Sequence, residues 1–150
     1  MNTAVAAGAA FLIAVLWFDL MFDVQTRKHG GQILPPDVLN SISVYYRRVT
    51  TDAAPMNRLI GIVMLLTIAA IVGEYVQGHS PIWSILASFV CAIGAIALAG
   101  SRTVPNAIEL GRRTSSPEQQ SRLARSVYRD HLICLLAISV VLALQLAVVA

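Results

Sequence analysis

Two aspartates and a histidine are the residues of this chain best suited to chemistry. The segment LWFDLMFDVQ closes an apolar run that begins at Thr3, and it carries Asp19 and Asp23 four residues apart. Residues with this spacing lie one turn apart on the same face of a helix. His131 directly precedes the last apolar run, LICLLAISVVLALQLAVVA. Two carboxylates and an imidazole are typical of acid–base sites, and they can also bind a divalent metal such as zinc, manganese or non-haem iron.

Three further polar residues lie near the same ends of the apolar runs. Arg58 lies at the start of the second run, Arg102 follows the third run, and Asn106 comes four residues after Arg102. If the protein is an enzyme, His131 would act as acid or base on a proton of the substrate. One of the other three residues would then stabilise the resulting oxyanion.

A purely structural role is the alternative for the two aspartates. At a helix end they can pair with Arg58 or Arg102 and reach the lipid headgroups. A charge inside the bilayer, however, costs ~2.5–3.5 kcal/mol even on the most lenient insertion scale. Asp19 lies about one turn deeper than Asp23, so it is the stronger functional candidate.

The apolar runs place all of these residues in a membrane. The 150 residues are 57% hydrophobic, with a mean hydropathy of +0.70, which exceeds what a soluble domain of this size can bury. Four runs reach or approach the ~20 residues that cross a hydrocarbon layer. We therefore predict an all-α integral membrane protein, a single four-helix transmembrane domain over residues 1–150. The predicted helices span residues 3–24, 56–77, 81–100 and 128–149.

The basic residues predict the orientation of the chain. All eleven lie in or beside two long segments, residues 25–55 and 101–127. Because basic residues near helix ends stay in the cytoplasm, we expect both long loops to be cytoplasmic and both termini to lie on the other side. The expected location is a bacterial inner membrane. No nucleic-acid-binding motif accompanies these residues, so we expect the lipid bilayer and not a nucleic acid as the partner.

Both cytoplasmic segments have helical patterns. The stretch LPPDVLNSISVYYRR begins with prolines and has apolar residues at helical spacing, which predicts an amphipathic helix along the membrane surface. The residues of this apolar face are Val38, Leu39, Ile42, Tyr45 and Tyr46. In the second segment, Ser115 and Ser116 are candidate N-caps, followed by Pro117 and Glu118. The fourth helix is therefore expected to begin near Pro117 and to run unbroken into the membrane.

Small residues recur at every fourth position on two of the predicted helices. Such ridges allow membrane helices to approach closely, which favours a compact bundle. The same ridges could instead hold a homo-oligomer together or dock on a larger membrane complex. The ridge residues are Ala6, Ala10 and Ala14 on the first helix and Ala87, Cys91, Ala95 and Ala99 on the third.

Cofactor motifs are absent from the sequence. There is no C-x-x-C-H attachment motif, and His131 is the only histidine that enters a span at its level, so haem is not expected. Cys91 and Cys134 differ in predicted depth, which does not suggest a disulfide. Walker and dinucleotide-binding motifs are also missing.

The segments RTVPNAIELGRR and YRDHLICLLAI carry a family resemblance. A Pro-Asn after the third helix, then an aromatic residue and a histidine before the fourth, resembles the four-helix membrane proteins of the anthrone-oxygenase-like group. The resemblance implies that Asn106 and His131 match the polar positions of that family, with Tyr128 in place of the usual tryptophan. Cys134 stands where the family has an arginine. The implied activity is oxygenation of a phenolic, lipid-soluble substrate without an evident bound cofactor.

Three functions remain open at this point. The first is an enzyme that acts on a lipid-soluble aromatic or quinone-like molecule in a polar pocket at the cytoplasmic mouth. The second is an accessory subunit of a larger membrane complex. The third is a proton or cation transporter, which the sequence favours least because Glu74 lies isolated at the opposite end of the second helix with no ladder of polar residues between.

Overall fold

The computed structural model describes residues 3–78 and 80–149, and within these residues the regular structure is helical throughout, with no strand. Four of its helices are long and apolar enough to cross a membrane, which confirms the predicted all-α four-helix membrane bundle. The α-helices in this part of the chain are α1 (Thr3–Asp23), α2 (Pro36–Arg47), α3 (Ala54–Gln77), α4 (Ile82–Leu98), α5 (Val104–Arg112) and α6 (Pro117–Val149).

Proline and glycine mark several helix ends, where their backbone properties suit the chain. Prolines lie in the first turns of α2, α3 and α5, where the missing N–H is not needed. Gly78 ends α3 in the left-handed conformation, with a φ of 66°, which glycine adopts without strain. At the start of α6, the Ser116 hydroxyl accepts a hydrogen bond from the Gln119 N–H at 3.4 Å. Ser115 instead donates to Glu109, so of the two candidates Ser116 caps the helix.

Residues 101–127 are more helical than the prediction of a long loop implied. The turn Ala99–Thr103 continues α4 as a π-helical segment, and α5 follows it directly. Together they form one continuous helical stretch, Ile82–Arg112. Helix α6 begins at Pro117 and runs without interruption to Val149, which confirms the start and the unbroken course predicted from its N-terminal signals.

The described residues form two hydrophobic cores. The first lies between α1, α3, α4 and α6 within the membrane spans, and Cys134 belongs to it. The second lies between α2, α5 and the first half of α6. The buried residues of the second core are Leu34, Val38, Leu39, Ile42, Tyr46, Ala107, Leu110, Ala124 and Val127.

Helix α2 forms where it was predicted, but it does not rest on the bilayer by its apolar face. That face packs on α5 and α6, and Ile42 at its centre is fully buried. The close crossing depends on Gly111 of α5, where an added Cβ would lie 2.8 Å from the backbone nitrogen of Arg47. A helix face that is covered by protein is not available to lipid, and the position of α2 along the membrane surface stays a prediction.

The two small-residue ridges have different surroundings. On α4, Ala95 is buried in the membrane core, so this ridge packs within the chain. On α1, Ala10 and Ala14 are exposed, and the close contact with α3 is made by Gly8 against Thr67. An interface between subunits at the α1 ridge stays a prediction.

Candidate functional site

Buried polar residues collect at the level where the two cores meet. Tyr46 belongs to the second core and Cys134 to the first, and His131 lies between these layers on α6. Asp23 and Asp130 are fully buried, and His131 is 7% exposed. Ionisable groups buried at membrane depth are expensive and mark functional sites.

Asp23 and His131 form a hydrogen-bonded dyad. Nδ1 of His131 lies 2.6 Å from Oδ2 of Asp23, and the hydroxyl of Tyr46 donates to Oδ1 of the same carboxylate at 2.6 Å. Since the carboxylate can only accept, the proton of a neutral imidazole is on Nδ1. Nε2 then carries the lone pair and is free to act on a substrate.

Asp19 lies on the other side of the imidazole. Its Oδ1 accepts a hydrogen bond from the hydroxyl of Tyr45 at 2.7 Å. Its Oδ2 is 3.7 Å from Nε2 of His131, which is too long for a direct hydrogen bond. Phe22 stacks on the Tyr45 ring with centroids 4.0 Å apart and holds it in place.

Tyr45 and Tyr46 are site residues whose hydroxyl groups were not predicted from the sequence to take part in the site. They were assigned to the apolar face of α2, and the structure shows that their hydroxyls reach Asp19 and Asp23. Burial and the nearby Asp23 charge raise the pKa of Tyr46 well above its usual 10.0. Burial and the Asp19 charge also raise the pKa of Tyr45. Both side chains therefore remain hydrogen-bond donors at physiological pH.

A cavity of about 240 Å³ opens beside this cluster. Asp19 and His131 lie on its wall, whereas Asp23 is not among the described residues that line it. The remaining polar lining is supplied by Tyr45, Tyr46, Thr50, Asn57 and Thr103, and most of the other lining residues are aliphatic. A mainly apolar pocket with a few convergent polar groups is the usual form of a small-molecule site.

Both π-helical segments of the described chain contribute to this cavity. Val49 and Thr50 come from Arg48–Asp52, and Ala99 and Thr103 come from Ala99–Thr103. Local π-helical turns inside helices are rare and occur frequently at functional sites. Their position therefore supports the assignment of the cavity as the functional site.

The other predicted catalytic residues do not line the described cavity. Arg102 makes a two-pronged ion pair with the buried Asp130, with Nε 2.8 Å from Oδ2. Asn106 is directed at Ser126, with Nδ2 and Oγ 3.4 Å apart. Arg58 is exposed, and its neighbour Asn57 lines the cavity instead. These three residues therefore do not share the described cavity with His131, and their oxyanion role stays a prediction.

The predicted metal ligands lie together but are engaged in hydrogen bonds. Among the described residues, no group of three His, Cys, Asp or Glu side chains has the arrangement of a metal site. Nδ1 of His131 binds Asp23, and Asp19 is held by Tyr45. This pattern is typical of a proton-transfer site, and the metal hypothesis stays a prediction without geometric support.

A second polar cluster lies at the opposite end of the bundle. With its amide nitrogen assigned toward Glu74, Gln145 donates to both carboxylate oxygens at 3.1 and 3.2 Å and accepts from Ser88 at 3.3 Å. Glu74 is 4% exposed. The prediction that Glu74 is isolated was therefore wrong, because α3, α4 and α6 are joined here by hydrogen bonds that stabilise helix packing in membranes. The α6 core residues between His131 and Gln145 are apolar, namely Cys134, Ile138 and Val141.

Comparisons with known proteins do not assign the chain to a family. No family model matches the chain, and neither a curated protein nor a solved structure matches it.

Proposed function

We propose that this membrane protein is an enzyme that binds a lipid-soluble hydroxylated aromatic molecule and removes a proton from it with His131. The observation that carries the proposal is the 2.6 Å contact between Nδ1 of His131 and Asp23. A base oriented by a carboxylate, with its second nitrogen directed at a pocket, is the general arrangement for proton abstraction.

The proton movement follows from the hydrogen bonds. A substrate hydroxyl in the cavity donates its proton to Nε2 of His131, which becomes an imidazolium. Asp23 keeps the ring in the correct tautomer and stabilises this imidazolium without itself taking the proton. Tyr46, which donates to Asp23 at 2.6 Å, holds the carboxylate in position.

A donor for the resulting oxyanion is present on the cavity wall. Asn57 approaches the Thr50 carbonyl with one N–H, at 3.4 Å. It carries a second amide N–H, for which the described residues offer no acceptor. Asn57 thus takes the role that the sequence assigned to Arg58, Arg102 or Asn106.

The size and lining of the cavity favour a single substituted ring. An apolar cavity of roughly 150 Å³ is enough for benzene, so the 240 Å³ found here admits an aromatic ring with substituents. Phe18, which lines the cavity, is 61% exposed on the α1 surface. A substrate dissolved in the bilayer would therefore enter past this residue.

The resemblance to the anthrone-oxygenase-like group supports an oxygenation reaction within this proposal. In such a reaction a phenol with a free ring C–H position and molecular oxygen give a quinone and water, and a base first removes the hydroxyl proton. His131 is the base in this scheme, and the oxidant is oxygen.

The charge distribution supports an orientation with the site on the cytoplasmic side. The basic residues lie on the two long segments, which contain α2 and α5, and this pattern is typical of cytoplasmic loops. Both termini would then face the other side of a bacterial inner membrane.

Ionisation of a coloured phenol tests the proposal. An alkylated nitrophenol, whose ionised form absorbs visible light, is added to the protein in nanodiscs and titrated with acid and base. We expect the phenol to ionise at lower pH with the wild-type protein than with empty nanodiscs, and His131→Gln to remove the difference. His29→Gln, in the loop after α1, is the control that keeps it. An unchanged difference in a folded His131→Gln protein would refute the proposal.

A further inference from the structure

The cavity wall presents two hydrogen-bond acceptors side by side. One is Nε2 of His131, which carries the lone pair in the neutral ring with its proton on Nδ1. The other is Oδ2 of Asp19, whose partner oxygen Oδ1 accepts from Tyr45 at 2.7 Å. The two acceptors are 3.7 Å apart, so neither satisfies the other.

From this pair we infer that the substrate carries two hydroxyl groups on adjacent ring carbons, that is, a catechol-like aromatic molecule. This inference rests on the proposed function and names its substrate class. Adjacent hydroxyl oxygens lie close enough together for one to donate to His131 and the other to Asp19. A hydroxyl with a single proton satisfies only one of the two acceptors.

The surroundings of Asp19 favour a role in recognition. Asp19 lines the cavity, whereas Asp23 is not among the described lining residues. The side chain of Asp19 is 16% exposed and that of His131 9%, so both side chains are largely buried. A buried acceptor without a donor is costly, which makes a site of this kind discriminate strongly against ligands that lack the matching hydroxyl. Asp19 is therefore the specificity-determining residue, and Tyr45 is its positioning residue.

Arg102 does not neutralise the charge of the Asp19 carboxylate beside His131. Its guanidinium is engaged with Asp130, which lies on α6 next to His131 but is not among the described residues lining the cavity. The Asp19 carboxylate therefore retains an open acceptor position toward the cavity. A ligand hydroxyl is the neutral group that fills it without bringing a further negative charge.

Two isomers with the same atoms test this inference. Binding of tert-butylcatechol and of tert-butylresorcinol, whose hydroxyls are not adjacent, is measured by calorimetry on the full chain in nanodiscs. We expect the catechol to bind about ten-fold more tightly, because only it satisfies both acceptors. The monomethyl ether of the catechol should lose a similar factor. Equal binding of the two isomers would overturn the inference.

A matched pair of variants tests whether Asp19 causes the preference for the catechol over the resorcinol. Asp19→Asn replaces an acceptor oxygen by a donor and should reduce the preference for the catechol to about one. Asp37→Asn, on the exposed first turn of α2, should preserve it. If Asp19→Asn does not fold, the ratio of the wild-type protein's affinities for the catechol and the resorcinol still tests the inference. A wild-type protein that ionises the nitrophenol but does not separate the isomers would refute this inference alone, whereas absence of binding by all these aromatics would refute both proposals.

Discussion

Of the two aspartates near the end of α1, Asp23 has the larger number of hydrogen-bond partners. It is fully buried and accepts hydrogen bonds from Tyr46 and His131. Asp19 accepts one from Tyr45 and is less completely buried. The sequence ranked Asp19 above Asp23 because depth along a helix is visible in a sequence. The number of partners is not, since it depends on which residues of other helices face the carboxylate.

This difference in the number of hydrogen-bond partners predicts which of three leucine substitutions destabilises the protein most. Asp23→Leu removes the acceptor of two buried donors, and each orphaned donor costs about 1–3 kcal/mol. Asp19→Leu removes one acceptor and should destabilise less. Asp37→Leu, on an exposed first turn, should change the free energy of unfolding by about 1 kcal/mol or less. Thermal unfolding in mild detergent gives the order, and equal effects of all three would contradict it.

The tyrosines make stability depend on alkaline pH. Their pKa values are raised in the folded protein above the usual 10.0. The unfolded chain therefore loses these protons first as pH rises, and the folded state loses stability above about pH 10. Below that pH the contribution is fully present.

Tyr46→Phe should weaken this alkaline loss of stability, because it removes one of the two titrating hydroxyls. Tyr75→Phe, on an exposed position of α3, serves as the control. Unfolding temperatures measured between neutral and strongly alkaline pH test this. A wild-type profile identical to that of Tyr46→Phe would count against the assigned role of the buried hydroxyl.

At the scale of elements, α2 positions the site, and its position depends on α5. Tyr45 and Tyr46 reach the aspartates only because α2 folds back over the bundle, and Gly111 allows the two backbones to approach. Gly111→Ala would place a Cβ 2.8 Å from the Arg47 nitrogen. We expect destabilisation by about 1–3 kcal/mol and weaker binding of the aromatic probe, because overpacking displaces the helix.

Gly61→Ala on α3 is the matched control for Gly111→Ala. An added Cβ at Gly61 meets no heavy atom within 4 Å among the described residues. Alanine is the better helix former, so this variant should be neutral or stabilised by up to ~1 kcal/mol. Comparable losses from both glycine substitutions would show that the α2–α5 contact is not specific.

The elements also show where sequence reasoning succeeds and fails. The four spans were predictable because a run of about 20 apolar residues has few alternatives to a membrane helix. The rotation of each helix was not, since an apolar helix surrounded by lipid shows little difference between its faces. Arg58 and Arg102 were therefore placed at a suitable level, but Arg58 is exposed and Arg102 faces Asp130. The apolar face of α2 was recognised correctly, and the structure shows that α5 and α6 cover it.

At the scale of the whole molecule, the described site lies at the junction of a membrane core and a second, more polar layer. The positive-inside distribution predicts that this layer is cytoplasmic. Single cysteines at Gly31 and Ser116, in a chain without Cys91 and Cys134, should react with a membrane-impermeant reagent only from the cytoplasmic side. A cysteine at Gly78 should react only from the other side. The reverse pattern would invert the orientation.

The most direct test of the account is the state of the His131 imidazole, observed by nitrogen NMR on protein with labelled histidine. The His131→Gln variant assigns its two resonances. We predict that the neutral ring carries its proton on Nδ1, hydrogen-bonded to Asp23, and that the Nε2 resonance shifts when an aromatic hydroxyl compound is added. A proton on Nε2, or an Nε2 resonance that does not respond to any such compound, would contradict the claim that His131 is a base directed at the cavity.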